Sequence, residues 1–339
     1  MTQRNDQWTS EFMTLRPLLF SLAYQMIGSV ADAEDIVSES YLRLRRALDR
    51  GSDITSLKTY LSTVVTRLSI DQLRSARMRR EAYVGPWLPE PLVDTENRPD
   101  FERVELADTL SMAFLVLLET LTPSERAVFL LREVFEFDYP QIARMLEQSE
   151  PSCRQLLSRA RQHVVARKPR FDADEQERRQ LAARFFTAIE AGDLEPLITM
   201  LAADVVAVGD GGGNGPSLPR PVNGRDKVLR LLGALADAIR DFNLHLQQAP
   251  VNGQPGALLL DIDGRLLNVL AIDIVHGTIQ TVRSVLNPDK LQHLGPLIAS
   301  DHPLRGGTRT EPACAGPSCT HPHRVLRQNG ERATRIELA

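Results

Sequence analysis

Between Phe12 and Met78 apolar residues recur with the period of a helix in three runs, Phe12–Ile27, Ala31–Leu48 and Leu57 to about Met78. Gly28-Ser29 and Gly51-Ser52 separate them. The second run opens on Asp32, Glu34 and Asp35 and closes on Arg43, Arg45 and Arg46, the order of charge that a helix dipole favours. In the third, Leu61, Val64, Val65, Leu68 and Leu73 make the apolar stripe, while Lys58, Arg67, Arg74, Arg77, Arg79 and Arg80 lie off it. A basic face of this kind is ordinarily just solvated, and it acquires meaning only from the segments that accompany it in the chain.

Helical periodicity resumes near Val104. The stretch "LTPSERAVFLLREVF" predicts one helix, entered through Thr122, with Pro123 at the first helical position and Glu125 three residues after the cap. Then "FDYPQIARMLEQSEPSCRQLLSRARQHV" predicts a short helix carrying Ile142, Ala143 and Leu146, a polar break, and a second helix capped by Ser149. Short helix, tight turn and second helix make a helix-turn-helix pattern. The second helix would bury Cys153, Leu157 and Ala160 and turn Ser152, Arg154, Gln155, Ser158 and Arg159 towards a groove. Arg and Gln are the side chains that pair bidentately with guanine and adenine edges. A plain helical hairpin with a basic surface would show the same pattern, so this motif does not decide alone.

The pattern changes at about Asp174. A long amphipathic helix, "EQERRQLAARFFTAIEAG", leads through "DLEPLITML" to the β-branched run "DVVAVGD", a glycine turn and a further helix, "RDKVLRLLGALADAI". Alternating runs come next, with hairpin signals at Asn252-Gly253, Asp263-Gly264 and His276-Gly277. These predict an antiparallel meander with helices packed on it, an α+β domain. From Ser300 periodicity is lost, and 300–339 reads as a disordered tail.

Between the two helical blocks stands "YVGPWLPEPL", Tyr83 to Leu92. Proline fixes φ and restricts the residue before it, so this strap is extended and stiff. Acids come after it, at Asp94, Glu96, Asp100, Glu102, Glu105 and Asp108.

Composition changes this picture little. A chain of 339 residues has room for two or three domains. The net charge of −4 would argue against nucleic acid if it were evenly spread, but the charge is segregated by segment. The start lacks the basic and apolar regions of a signal peptide, and no apolar run reaches the roughly 20 residues of a membrane span. That leads to the expectation of no membrane partner, and three cysteines, Cys153, Cys314 and Cys319, which make no disulfide framework, lead to the expectation of a reducing cytoplasm.

Candidate chemistry is sparse. "DGGGNG" lacks the lysine and spacing of a phosphate cradle and reads better as a turn at a domain contact. Asp210 could act as a base beside an apolar cavity, but no partner acid, metal trio or oxyanion device accompanies it, so no enzyme is expected. The hairpin turn at Asp261–Gly264 accounts for Asp263. Cys314, Cys319, His321 and His323 match no common zinc spacing, and neither metal nor cofactor is expected.

Taken in order, "DAEDIVSESYLRLRRAL", "YLSTVVTRLSIDQLRSARMRR" and "LTPSERAVFLLREVFEFDYPQIARML...CRQLLSRARQ" resemble regions 2 and 4 of a sigma-70 superfamily initiation factor, specifically the extracytoplasmic-function type. "GPWLPEPL", "DGGGN" at Asp210–Asn214 and "NPDKL" at Asn287–Leu291 resemble the signature of the group with a C-terminal SnoaL-like, or NTF2-like, domain (the sigma J type). The resemblance implies two all-α sigma domains followed by an α+β cone domain: region 2 at 1–82, a Pro-rich and acidic linker at 83–103, region 4 at 104–170, the SnoaL-like domain at 174–299, then the tail.

It also implies a function. The chain would bind core RNA polymerase through Asp35 and Glu39 and the −10 element through Arg67, Arg74, Arg77, Arg79 and Arg80. It would read the −35 element through Ser152, Arg154, Gln155, Ser158 and Arg159. Its own C-terminal domain would regulate it, with no separate anti-sigma protein, through Trp87, Leu88, Pro89, Glu90 and Pro91 of the strap, Asp210, Gly211, Gly212 and Gly213 of the glycine turn, and Asn287, Pro288, Asp289 and Lys290. Trp87 would supply apolar area and the prolines rigidity to a fixed docking rail. Whether the SnoaL-like cavity takes a small ligand is left open. Rival readings are a ligand-responsive helix-turn-helix regulator that needs no polymerase and a SnoaL-type cyclase. Run-off transcription with core polymerase separates them.

Three positions depart from the family pattern. Arg67 stands where many of these factors have an Asn that helps capture a flipped −10 base, Glu147 where the helix-turn-helix turn usually has Gly, and Asn214 where the glycine motif usually ends in Lys.

Overall fold

The computed structural model describes residues 2–80, 83, 85–93, 110–165, 175–213 and 218–305. It divides into two compact units, Met1–Ala82 with Leu88–Arg170, and Tyr83–Trp87 with Phe171–Ala339. The division therefore falls inside the strap, between Trp87 and Leu88.

The first unit is helical. Helices α1 (Thr2–Ile27), α2 (Val30–Asp49) and α3 (Leu57–Arg80) follow the three periodic runs. Gly28, with φ 74°, ends α1, and the Ser29 hydroxyl accepts the Asp32 N–H at 3.2 Å to start α2, so the predicted break works as a stop and a cap. Four helices come after them: α4 (Met112–Leu118), α5 (Pro123–Phe129), α6 (Tyr139–Leu146) and α7 (Glu150–Val165). Thr122 and Glu125 form the expected capping box; Asp138 and Gln141 form a second, at the start of α6. The run expected to be one helix from Pro123 changes at Leu130 into a π turn, Leu130–Val134, closed by Phe135 N–H on the Leu130 carbonyl at 3.0 Å. The two helical blocks share one core, in which Ile36 and Leu61 join Leu118, Phe129, Ile142 and Leu157.

The second unit is α+β. Its elements are α8 (Glu175–Ala191), α9 (Glu195–Met200), β1 (Leu201–Asp210), β2 (Val222–Asn223), α10 (Arg225–Asp241), β3 (His245–Val251), β4 (Gln254–Leu260), β5 (Leu266–Val275) and β6 (Thr278–Val285). Phe185, Phe186 and Ile189 of α8 and Val228, Leu232 and Ile239 of α10 pack with Ala257, Leu259, Leu270, Ile272 and Val282 from alternate positions of the sheet. Strands β3 to β6 form the expected meander, turned by positive-φ pairs at Asn252-Gly253 and His276-Gly277.

Two features go beyond these expectations. The sheet is mixed, in the order β2-β1-β6-β5-β4-β3, because β1 pairs in parallel with β6 after the intervening chain crosses over. That register sets Asp210 beside Val285, and the Asp210 carbonyl accepts the N–H groups of Leu286 and Asn287 at 2.8 and 3.0 Å. The domain also runs past residue 299: Pro303–Arg305 form a short helical turn, Leu304 packs on the core, and Arg305 Nη2 donates to the Leu266 carbonyl at 3.3 Å. The rest of the expected tail, 306–339, lies outside the described residues, as do Cys314, Cys319, His321, His323 and the linker acids from Asp94 to Asp108. No described helix is long and apolar enough to cross a membrane, and no described cluster of His, Cys, Asp and Glu could hold a metal ion.

Candidate nucleic-acid interface

Helix α7 behaves as its spacing predicts. Cys153, Leu157, Ala160 and Val164 are buried, Arg154, Gln155, Ser158 and Arg159 are exposed, and Ser152 is half-buried with its hydroxyl on Gln148 Oε1 at 2.9 Å. Burial raises the Cys153 thiol pKa, which suits packing and not redox chemistry. Arg154 does not hang free. Its guanidinium stacks 4.1 Å from the Tyr139 ring centroid, and Nη2 lies 3.3 Å from Glu150. Arg132 approaches the same ring at 5.2 Å. Tyr139 was missed in the sequence because it sits at the first position of the other helix of the pair, where only tertiary packing makes it a neighbour of Arg154.

The predicted −10 residues divide. Arg74 is exposed and lies 3.8 Å from Asp71 on its own helix. Arg77, Arg79 and Arg80 continue α3, but their side chains fall outside the described residues. Arg67 is turned onto the helix-turn-helix: Nε donates to the Met145 carbonyl at 2.8 Å, Nη2 to the Arg144 carbonyl at 3.2 Å, and Nη1 meets Glu147 at 2.8 Å. Expected at the −10 element, Arg67 makes this contact where α3 meets the end of α6, with 43% of its side chain still exposed. On α2, Asp35 is exposed, whereas Glu39 is half-buried and bridged to Arg43 at 2.9 Å and Arg46 at 3.7 Å.

The strap divides between the two units. Leu88, Pro89 and Pro91 are buried with the helical unit, and Glu90 joins the α1–α2 corner: its N–H donates to the Gly28 carbonyl at 2.8 Å, its carbonyl accepts the Tyr24 hydroxyl at 2.6 Å, and its carboxylate accepts the Val30 N–H at 2.7 Å. Glu90 thereby satisfies an orphan donor at the start of α2. Its carboxyl pKa is raised by burial, against hydrogen bonds that pull it down.

Trp87 and Tyr83 belong to the second unit. There Asp210, fully buried, accepts the Tyr83 hydroxyl on one oxygen and Lys290 Nζ on the other, the latter at 2.7 Å. Asn287 Nδ2 donates to the Tyr83 oxygen at 2.9 Å. The Lys290 ammonium stands 4.2 Å from the Trp87 ring centroid and 5.0 Å from that of Tyr83. A buried carboxylate and a buried ammonium thus satisfy each other between two aromatic faces. Burial, reinforced by the acceptor Asp210, pushes the Tyr83 pKa up and keeps it a neutral donor. Gly212, at φ 62°, is required because a Cβ there would run into the Asn287 side chain. Gly211 is buried, Gly213 exposed, Pro288 half-buried and Asp289 exposed, its N–H held by Asn287 Oδ1 at 3.1 Å; Asn214 lies outside the described residues. Tyr83 stood in the strap as a second aromatic, and that was the signal that could have found it.

A helical unit with a helix-turn-helix and a basic third helix, joined to an α+β domain, defines a sigma-70-type promoter-recognition subunit of RNA polymerase. Residues 12–79 match the Sigma-70 region 2 family and 111–164 the Sigma-70 region 4 family. The chain belongs to the extracytoplasmic-function (ECF) RNA polymerase sigma factors, being 38% identical over 290 residues to the ECF RNA polymerase sigma factor SigJ of Mycobacterium tuberculosis, across 83% of this chain and 92% of that one. A probable ECF sigma factor, SigI, of the same species is 30% identical over 86% of this chain and 97% of its own. The crystal structure of M. tuberculosis SigJ matches with a TM-score of 0.67 at 35% identity, covering 84% of this chain and 98% of that chain. As a sigma factor, the protein binds core RNA polymerase and promoter DNA and directs transcription initiation.

Proposed function

We propose that the SnoaL-like domain modulates this sigma factor in cis, through the strap. The observation that carries this reading is the fate of one short peptide. Tyr83 and Trp87 are bonded to Asp210, Asn287 and Lys290 of the second unit, while three residues beyond Trp87 the backbone of Glu90 is bonded to the α1–α2 corner of the first. Prolines at 86, 89 and 91 leave the peptide little slack, so tension or release at one end reaches the other. The cis contact takes the place of a separate anti-sigma protein, and a small ligand of the SnoaL-like domain would act on the same strap. In this reading Asp35 and Glu39 face core polymerase, Arg74, Arg77, Arg79 and Arg80 meet phosphates of the −10 region, and Ser152, Arg154, Gln155, Ser158 and Arg159 face the −35 groove.

Run-off transcription with matched core polymerase and promoter tests it. Trp87→Ala, Lys290→Met and a chain ended near Arg170 should each change transcription several-fold relative to the full chain, since a bias of about 1 to 3 kcal/mol between states is enough. Equal transcription from all four proteins would make the third domain a passenger.

A further inference from the structure

Two of the three residues that depart from the family pattern touch each other. Arg67 Nη1 and Glu147 Oε1 are 2.8 Å apart, although 80 positions of chain separate the two residues and they come from different helical blocks. Glu147 holds the left-handed conformation that ends α6, φ 54° and ψ 43°, where glycine is favoured and any Cβ is strained. A glutamate at that position is explained by its side chain, which reaches the guanidinium. The other two bonds of Arg67 go to the Arg144 and Met145 carbonyls, groups of the last helical turn that carry the negative end of the α6 dipole. The fork of Arg67 is therefore filled by one carboxylate and two carbonyls.

The clasp is built to open. Side-chain exposure is 43% at Arg67 and 75% at Glu147, so water screens the pair and its strength is modest. What a guanidinium takes from a carboxylate and helix carbonyls it can take equally from phosphate oxygens, but it cannot serve both at once. Arg67 also lies on α3 two turns before the exposed Arg74, on the helix that carries the basic run.

We propose that Arg67 is a switch residue with two mutually exclusive partners: Glu147 and the end of α6 in the free protein, and a backbone phosphate of the −10 strand once promoter DNA is bound. Glu147 acts as a stand-in for the phosphate, so DNA binding by α3 and release of the helix-turn-helix are one event. This rests on the reading of α3 as the −10 surface.

Equilibrium binding of the full-length chain to a mixed-sequence single-stranded oligonucleotide tests it, because the contact is to phosphate and needs no promoter sequence. Glu147→Gln and Glu147→Gly each remove the carboxylate that competes with phosphate for Nη1, leaving only the two carbonyl bonds, and the glycine variant suits the left-handed position, which guards against loss of fold. Both should bind roughly three- to tenfold tighter than wild type. In an Arg67→Ala background the same substitutions should have no effect. An equal gain in that background would reduce Glu147 to general charge repulsion and overturn the switch; so would no gain in the wild-type background. Arg74→Ala separates the two readings: if it leaves affinity unchanged, α3 is not the DNA surface and both fall, whereas if it weakens binding and the Glu147 variants do nothing, the switch alone falls.

Discussion

Arg126 of α5 donates from Nη1 to the carbonyl of Met26, the residue before the last of α1, at 2.7 Å. The same nitrogen lies 2.8 Å from Glu119. Arg126 is buried, and burial lowers its pKa to about 9, still high enough to leave it charged at neutral pH. One guanidinium thus closes the end of a region 2 helix from within region 4, in a core that the two regions share.

Replacing Arg126 with Met keeps much of the volume and removes the charge. The Met26 carbonyl and Glu119 both lose a charged donor, which should cost about 1.5 to 3 kcal/mol. Urea denaturation of the full chain, followed by helical circular dichroism, should show the first transition at lower denaturant. An unmoved midpoint would mean that the two regions are held by apolar packing alone.

Glu90 titrates in the less familiar direction. Its folded pKa is raised by burial, so the folded chain keeps the proton to a higher pH than the unfolded chain. Its contribution to stability therefore falls as pH rises from the ordinary Glu value, about 4.3, through the raised folded value. Glu90→Gln removes this dependence, and its amide oxygen can still accept the Val30 N–H. The urea midpoint of E90Q should gain on that of wild type across that window. A constant difference between about pH 4 and 7 would show that Glu90 titrates alike in both states.

Lys290 and Asp210 are a buried pair, and removing one partner strands the other. Lys290→Met should destabilise the α+β unit by about 3 to 5 kcal/mol. Adding Asp210→Asn should recover part of that loss, because the stranded charge is gone. A double-mutant cycle on the thermal transition checks this; strictly additive losses would show that the two residues act independently.

Arg154 should lose about 1 to 3 kcal/mol at one base pair of the −35 element on replacement by alanine, if it reads a base edge. Tyr139→Ala removes the stacking partner but leaves Arg154, so it should weaken the same base preference by a smaller amount. Binding to promoters substituted one pair at a time distinguishes this from a uniform loss, which would make Arg154 a phosphate contact.

Local signals were legible and long-range ones were not. The helices of both sigma regions could be placed from apolar spacing, and Thr122-Pro123 and Ser149 mark their starts, because caps and periods are written within a few residues. The buried face of α7 was legible for the same reason. The parallel pairing of β1 with β6 was invisible, since the register of strands far apart in sequence is set by tertiary packing and not by either strand alone. Arg67 and Glu147 were each legible as departures, yet nothing local to either says that they meet. The strap was legible as stiff, but its division between Trp87 and Leu88 depends on partners on both sides of it.

The parallel pairing has a consequence for the order in which the molecule is made. β1 sits inside the sheet with β6 as its neighbour, so the second unit cannot complete its hydrogen-bond ladder until the chain has been synthesised as far as Val285. Regions 2 and 4 have by then left the ribosome and can fold first. Tyr83, made early, waits for Asn287, 204 residues later, and Lys290 arrives after that. During every round of synthesis there is an interval in which promoter-recognition helices exist and the domain that would hold the strap does not.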